Sequence, residues 1–198
     1  MTDAEGYSTT FIYDTMDRVV TITDAKGGVT RYTYTDRGEV ATKTDAEGYA
    51  TSYEYDGNGN CVKMTTVDGD TIYEYDPLDR LIKTTTPDGE SMSMTYDGVG
   101  NQTSIAYPDG TTATYDYDLV HNQTKVAETD GSETSYAYDG MGRVTEMRYP
   151  NGWVEYYTYD KMGRLLAVDD THPSEKPAKT QKHTYAYDAN GNMTYEYM

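Results

Sequence analysis

The stretch "YDGMGRVTEMRYPNGWVEYYTYDKMGR" runs from Tyr138 to Arg164 and holds one six-residue phrase twice. The copies, Tyr138-Asp-Gly-Met-Gly-Arg143 and Tyr159-Asp-Lys-Met-Gly-Arg164, start 21 residues apart. The phrase is the period of the whole chain. Its lead tyrosine stands at Tyr13, Tyr34, Tyr55, Tyr75, Tyr96, Tyr117, Tyr138, Tyr159 and Tyr187, with steps of 21, 21, 20, 21, 21, 21, 21 and 28. Asp follows at Asp14, Asp56, Asp76, Asp97, Asp118, Asp139, Asp160 and Asp188, and Thr35 is the exception. A period of this length marks a repeat protein, in which each repeat is one supersecondary unit stacked on the next.

Each repeat reads as a β-hairpin. After Tyr-Asp comes a turn with Gly at Gly38, Gly59, Gly100, Gly142, Gly163 and Gly191, then a β-branched run such as "RVVTITD" or "RLIKTTT". A second turn carries Gly27, Gly48, Gly69, Gly89, Gly110, Gly131 and Gly152, in settings such as "PDG", "VDG" and "PNG". A type I turn closed by a glycine bulge fits this chemistry. The returning strand ends in Tyr-x-Tyr-Asp, and residues two apart share a face. The final 28-residue step adds an insertion near Thr171–Lys182, "THPSEKPAKTQK", which reads as an exposed loop.

Nine repeats give about seventeen or eighteen short strands, a sheet roughly 80 Å wide at about 4.8 Å per strand. Open twisted sheets rarely exceed about ten strands without curling. A ring of this size is too wide for side chains to fill. The expectation is an all-β, single-domain repeat protein, residues 1–198, whose curved antiparallel sheet walls a hollow.

Composition agrees. The 198 residues include 23 Tyr against one Phe and one Trp, so the aromatic surface consists almost wholly of rings whose hydroxyls want partners. Mean hydropathy of −0.84 would suit a disordered chain, but 13% aromatic content marks a folded one. A net charge of −18 without a basic cluster argues against nucleic acid and acidic membranes. No run approaches the roughly 20 apolar residues of a membrane helix, and strands with Thr, Lys and Glu on both faces lack the apolar band of a membrane barrel.

The recurring residues have structural readings. The lead tyrosines and a second column, Tyr32, Tyr53, Tyr73, Tyr115, Tyr136, Tyr157 and Tyr185, with Phe11 and Met94 in the gaps, are expected to form ladders of stacked or edge-to-face rings. A sugar- or peptide-binding aromatic platform is the functional rival. Asp is expected to accept from the backbone amide two residues on. Arg18, Arg80, Arg143 and Arg164 follow Asp14, Asp76, Asp139 and Asp160 by four, the spacing of an ion pair across the turn. Where Thr35 replaces the Asp, Glu39 replaces the Arg.

Catalytic and metal readings are weaker. "DGNGN" (Asp56–Asn60) and "DANGN" (Asp188–Asn192) begin like calcium loops, but Cys61 and Met193 stand where Gly is required. His121, His172 and His183 lack metal spacing, and Cys61 occupies an aliphatic slot. No catalytic, metal or cofactor residues are assigned, and no cofactor is expected.

Tyr-Asp-x-x-Gly-Arg about every 21 residues, with a Gly turn midway, resembles the Rhs/YD-repeat family over essentially the whole chain. That family includes bacterial polymorphic toxins, toxin-complex shell components and animal teneurins. The resemblance implies a sheet spiralling into a hollow shell, which encloses a toxic segment in bacterial members and serves adhesion in teneurins. It implies a secreted or cell-surface bacterial protein. The family's self-cleavage motif Asp-Pro-x-Gly is missing, since the only Asp-Pro, Asp76-Pro77, continues as Leu78-Asp79. The resemblance therefore supports a wall and not toxin release.

"TDAEGY" at 2–7 repeats that at 44–49, and the chain stops after "MTYEYM", so its first and last strands are complementary halves of one hairpin with unpaired edges. The expected partners are neighbouring repeats of the same or another chain, and an enclosed toxin or cargo. The leading reading is a non-enzymatic wall segment. The alternatives are an adhesion or ligand-binding module using Tyr-rich faces, and a head-to-tail filament subunit.

Overall fold

Glycine-bearing turns recur too often for a helix to gain a foothold, and the computed structural model of the chain is built from short strands. It describes residues 8–172 and 179–197. Among these are eighteen strands of four to nine residues and no helix. The chain divides into two compact halves, Met1–Ser93 and Met94–Met198. The first holds β1 (Thr10–Tyr13), β2 (Val19–Thr23), β3 (Val29–Tyr34), β4 (Val40–Thr44), β5 (Ala50–Tyr55), β6 (Cys61–Thr66), β7 (Gly69–Tyr75) and β8 (Leu81–Thr85). The division falls within β9 (Ser91–Tyr96). The second half continues with β10 (Gln102–Ala106), β11 (Thr112–Tyr117), β12 (Gln123–Glu128), β13 (Glu133–Tyr138), β14 (Val144–Arg148), β15 (Val154–Tyr159), β16 (Leu165–His172), β17 (Lys179–Tyr187) and β18 (Met193–Tyr197). Within each half, every strand pairs antiparallel with its sequence neighbour.

Both turns of a repeat share one construction. The Asp24 amide donates to the Gly28 carbonyl at 2.9 Å, and the Gly27 amide donates to the Asp24 carbonyl at 3.0 Å. Gly27 takes a φ of +88°, as a type I turn closed by a left-handed residue requires. Asp14–Arg18 repeats the pattern at 2.9 and 3.2 Å. Its left-handed slot, glycine in six repeats, is filled by Asp17, Asp79 and His121 in the others. The lead tyrosine then pairs across a bulge with the opening residue of the next strand, as Tyr34 does with Val40 and Tyr138 with Val144.

Both irregular steps are hairpin adjustments. The 20-residue step falls at β6–β7, where a two-residue loop pairs Thr66 with Gly69. In the insertion, the expectation of a loop across Thr171–Lys182 is corrected. Thr171 pairs with Thr180 and His172 with Lys179, so the inserted residues lengthen β16 and β17. Alternating Thr and polar side chains suit a strand as well as a loop, and an existing ladder lets them extend it. The remainder, residues 173–178, lies outside the described residues.

Register separates the two faces. Phe11 opposes Ile22, Tyr53 opposes Met64, Tyr136 opposes Met147 and Tyr157 opposes Val168. Strand alternation places Val20, Val62, Ile82, Ile105 and Leu166 on the same face as the tyrosines. The other face carries charge and hydroxyl: Lys63 lies 2.9 Å from Asp70 and 3.5 Å from Glu54, Lys83 3.2 Å from Glu74, and Lys125 3.2 Å from Glu133. The Thr33 and Thr42 hydroxyls meet at 2.6 Å. Thr, Lys and Glu therefore do not populate both faces equally. Burial is rare: among the described residues only Met94, Ala113, Val154 and Ala167 are buried, all in the second half.

At Gly110, with φ of +85° and open space where a Cβ would stand, Gly110→Ala should cost about 1 kcal/mol through backbone conformation alone. Chemical denaturation checks this, and a loss several times larger would show an unrecognised packing role.

Candidate functional site

The feature that recurs in every repeat is the turn after the lead tyrosine. Asp139 divides its carboxylate between two tasks. Its Oδ1 accepts from the amides of Met141 (2.9 Å) and Arg143 (3.1 Å), and its Oδ2 accepts from the Arg143 guanidinium at 2.7 Å. Asp14, Asp76 and Asp160 hold Arg18, Arg80 and Arg164 in the same way, each with a nitrogen 2.6–2.7 Å from Oδ2. The amide partners lie two and four residues on, where the sequence reading named only the first.

Four other repeats place Asn where these place Arg. Asn60, Asn101, Asn122 and Asn192 donate their side-chain amides to Oδ2 of Asp56, Asp97, Asp118 and Asp188 at 2.8–3.0 Å. These partners carry no charge pattern that sequence would reveal, because an amide closes the turn as a neutral donor. The remaining repeat inverts the polarity. The Thr35 hydroxyl accepts from the amides of Arg37 and Glu39, both at 3.2 Å, and donates to the Glu39 carboxylate.

The turn also reaches its neighbour. Arg18, Arg143 and Arg164 lie over the rings of Tyr34, Tyr159 and Tyr187, 4.5, 4.6 and 4.8 Å from their centroids, in cation–π range. Arg143 Nη1 also donates to the Asp160 carbonyl at 3.3 Å. In the repeat lacking the Asp–Arg pair, Arg37 donates to the carbonyls of Asp56 and Gly57 at 3.2 and 2.7 Å. The tyrosine hydroxyls reply across the sheet: Tyr34, Tyr55, Tyr75, Tyr117, Tyr138 and Tyr187 donate to the carbonyls of Val19, Val40, Cys61, Gln102, Gln123 and Leu165 at 2.6–3.0 Å. Each acceptor opens the strand beside the tyrosine. Tyr13, in the first strand, is 54% exposed. The rings of Tyr34, Tyr159 and Tyr187 thus take guanidinium partners in place of the ring-on-ring ladder expected. An edge-to-face ring pair does occur between Trp153 and His172, with centroids 5.4 Å apart.

The electrostatics follow. Hydrogen bonds to the charged form hold these carboxyls below the usual carboxylate value. The largest cause is the amide of Arg18 at Asp14 and of Arg164 at Asp160. At Asp56, Asp76, Asp118, Asp139 and Asp188 it is the side chain four residues on. Burial pushes the phenols of Tyr55, Tyr75, Tyr117, Tyr138 and Tyr159 up, which keeps them as donors.

The remaining candidates are also tied into the fold. In "DGNGN" the Asp56 carboxylate is taken up by the Asn58 and Asn60 amides and the Asn60 side chain. Among the described residues, no three His, Cys, Asp or Glu are placed to hold a metal ion. Cys61 is half-buried, its thiol 3.4 Å from the Lys63 carbonyl.

Tyr138→Phe should cost about 1 kcal/mol, since it strands the Gln123 carbonyl. Chemical denaturation measures the loss, and no loss would mean water replaces the hydroxyl freely. The pH dependence has a definite sign. A carboxyl whose folded pKa lies below the unfolded 3.8 contributes stability above that value and loses it as pH falls through the folded pKa. Acid first relieves repulsion among the excess negative charges, then releases the turns. Melting temperature should therefore peak near about pH 5 and drop steeply below about pH 4. Thermal melts across pH test this, and a continuous rise to pH 3 would contradict it.

The sequence model of the teneurin YD-shell family matches residues 1–176. Among solved structures, that of TcdB2-TccC3 aligns with a TM-score of 0.80 at 17% identity, over 93% of this chain and 11% of that one. TcdB2-TccC3-TEV gives 0.79 at 18% identity, with the same shares. TcdB2-TccC3 without its hypervariable C-terminal region gives 0.67 at 17%, over 98% of this chain and 14% of that one. The chain thus spans about a tenth of the length of the solved chains it resembles, and at these identities the likeness is one of fold. No curated protein sequence matches. By its repeat and by the match over residues 1–176, the chain belongs to the teneurin YD-shell family.

Proposed function

We propose that the chain is a non-enzymatic wall segment: its nine repeats form one continuous, curved part of a shell around a hollow. The observation that carries this reading is the division of labour within each repeat. The clasp residues bind a turn to itself and to the next repeat, a scheme that extends a sheet by any number of hairpins. The remaining strand residues give one tyrosine-rich face and one charged face. Membership of a shell family supports the wall, and the likeness to the much longer TcdB2-TccC3 chains supports a part in a larger enclosure for a toxin or other cargo. A secreted or cell-surface setting and pairing through edge strands with further YD repeats belong to the same proposal.

Small-angle scattering tests the wall. A solid globule of 198 residues has a radius of gyration of about 16 Å. A curved single layer should give a clearly larger value and a cross-section about one sheet thick, roughly 10 Å. A radius near that of the globule would refute the proposal. Light scattering on the same samples separates the filament alternative, for which mass grows with concentration.

A further inference from the structure

The lengthened hairpin of β16 and β17 places polar groups on the tyrosine face. Glu155 stands directly opposite Asp170, and Asp170 opposite Gln181. With Tyr149, Asn151 and Trp153 they line a cavity of about 290 Å³. The slot of Glu155, two residues before the second-column tyrosine, holds Thr30, Thr51, Thr71, Met92, Ala113 and Thr134 in earlier repeats.

Two carboxylates facing each other across neighbouring strands oppose the usual rule of sheet pairing. Glu155 has phenolic support, since Tyr157 donates to it and Tyr149 is also hydrogen-bonded to it. Asp170 does not. Its Oδ1 is buried and, among the described residues, has no hydrogen-bond partner; its Oδ2 lies 4.0 Å from His183 Nε2. None of the six lining residues is cationic. Lys182 is on the opposite face, 2.9 Å from Asp169. Burial and the charge of Glu155 push the Asp170 carboxyl up, and burial with the Glu155 hydrogen bond pushes the Tyr149 phenol up to about 12.

We propose that this cavity binds an organic cation, an ammonium or guanidinium group on a short chain, with its charge between Glu155 and Asp170 and its stem against Trp153 and Tyr149. Such a group separates the facing negative charges of Glu155 and Asp170 and gains from aromatic walls. A bare metal ion fits less well, because indole, phenol and amide groups form most of the lining. The cation can belong to an Arg or Lys side chain of a polypeptide or to a free small amine.

Trp153 is the only tryptophan, so its emission reports on the cavity directly. The unmodified chain is titrated with N-acetyl-arginine methylamide as the peptide-borne cation, agmatine as the free amine, and N-acetyl-citrulline methylamide as the neutral isostere. The proposal predicts a saturable change with at least one cationic probe and binding at least tenfold weaker for the citrulline compound. Preference between the two cationic probes assigns the source. Asp170→Asn should weaken cation binding at least tenfold while raising the melting temperature of the unliganded chain, because it removes one of the facing charges. No saturable response to either cation, or an equal response to citrulline, overturns the proposal without recourse to a variant. Unchanged binding by folded Asp170→Asn overturns it too.

Discussion

Asp139 uses one carboxylate oxygen to hold the amides of its own turn and the other to hold Arg143, whose guanidinium lies over Tyr159 of the next repeat. Much of the rest of the fold depends on that division. A tight turn leaves amides that nothing in the ladder can pair, and an ionised acceptor satisfies two at once. The same group fixes the side chain that reaches onward. Tyr138 closes the link from the other direction through the Gln123 carbonyl. Local turn chemistry and contact between repeats thus become one connected network.

Such a network suits a sheet with little buried interior. Only four described residues are buried, so stability cannot rest on one large core. It has to accumulate from pairwise terms between neighbouring hairpins, as in other linear repeat proteins. Substitutions within the clasp show what is required. Arg and Asn both serve at the fourth position, and Thr35 with Glu39 exchanges donor and acceptor while Arg37 preserves the reach to the next turn. The geometry of donor and acceptor persists, and the sign of the charge does not.

The period, the hairpins and the two turns were legible in the sequence because they follow from backbone constraints. Gly27 and its counterparts stand where φ must be positive, and Tyr-x-Tyr alternation fixes a face. The Asp–Arg pairs were legible from spacing of four. The Asn partners were not, because an amide has no unique spacing signal among so many Asn and Asp residues. The stacking of Arg143 on Tyr159 was missed for another reason: it joins different repeats, and sequence distance does not reveal which ring lies beneath a guanidinium. The split into two faces required the register, since the bulge beside the turn that follows a lead tyrosine shifts alternation by one residue. The cavity beside Trp153 depends on strands lengthened by an insertion that resembled a loop.

The most direct measurement is amide hydrogen exchange at the fourth position of each turn: Arg18, Asn60, Arg80, Asn101, Asn122, Arg143, Arg164 and Asn192. These amides close on aspartate, not on the backbone ladder. If the clasp holds the hairpins, they should exchange within about tenfold of the neighbouring strand amides, because opening the turn requires opening the repeat. Exchange at unfolded-peptide rates while the strands remain protected would show that the sheet stands without the clasp.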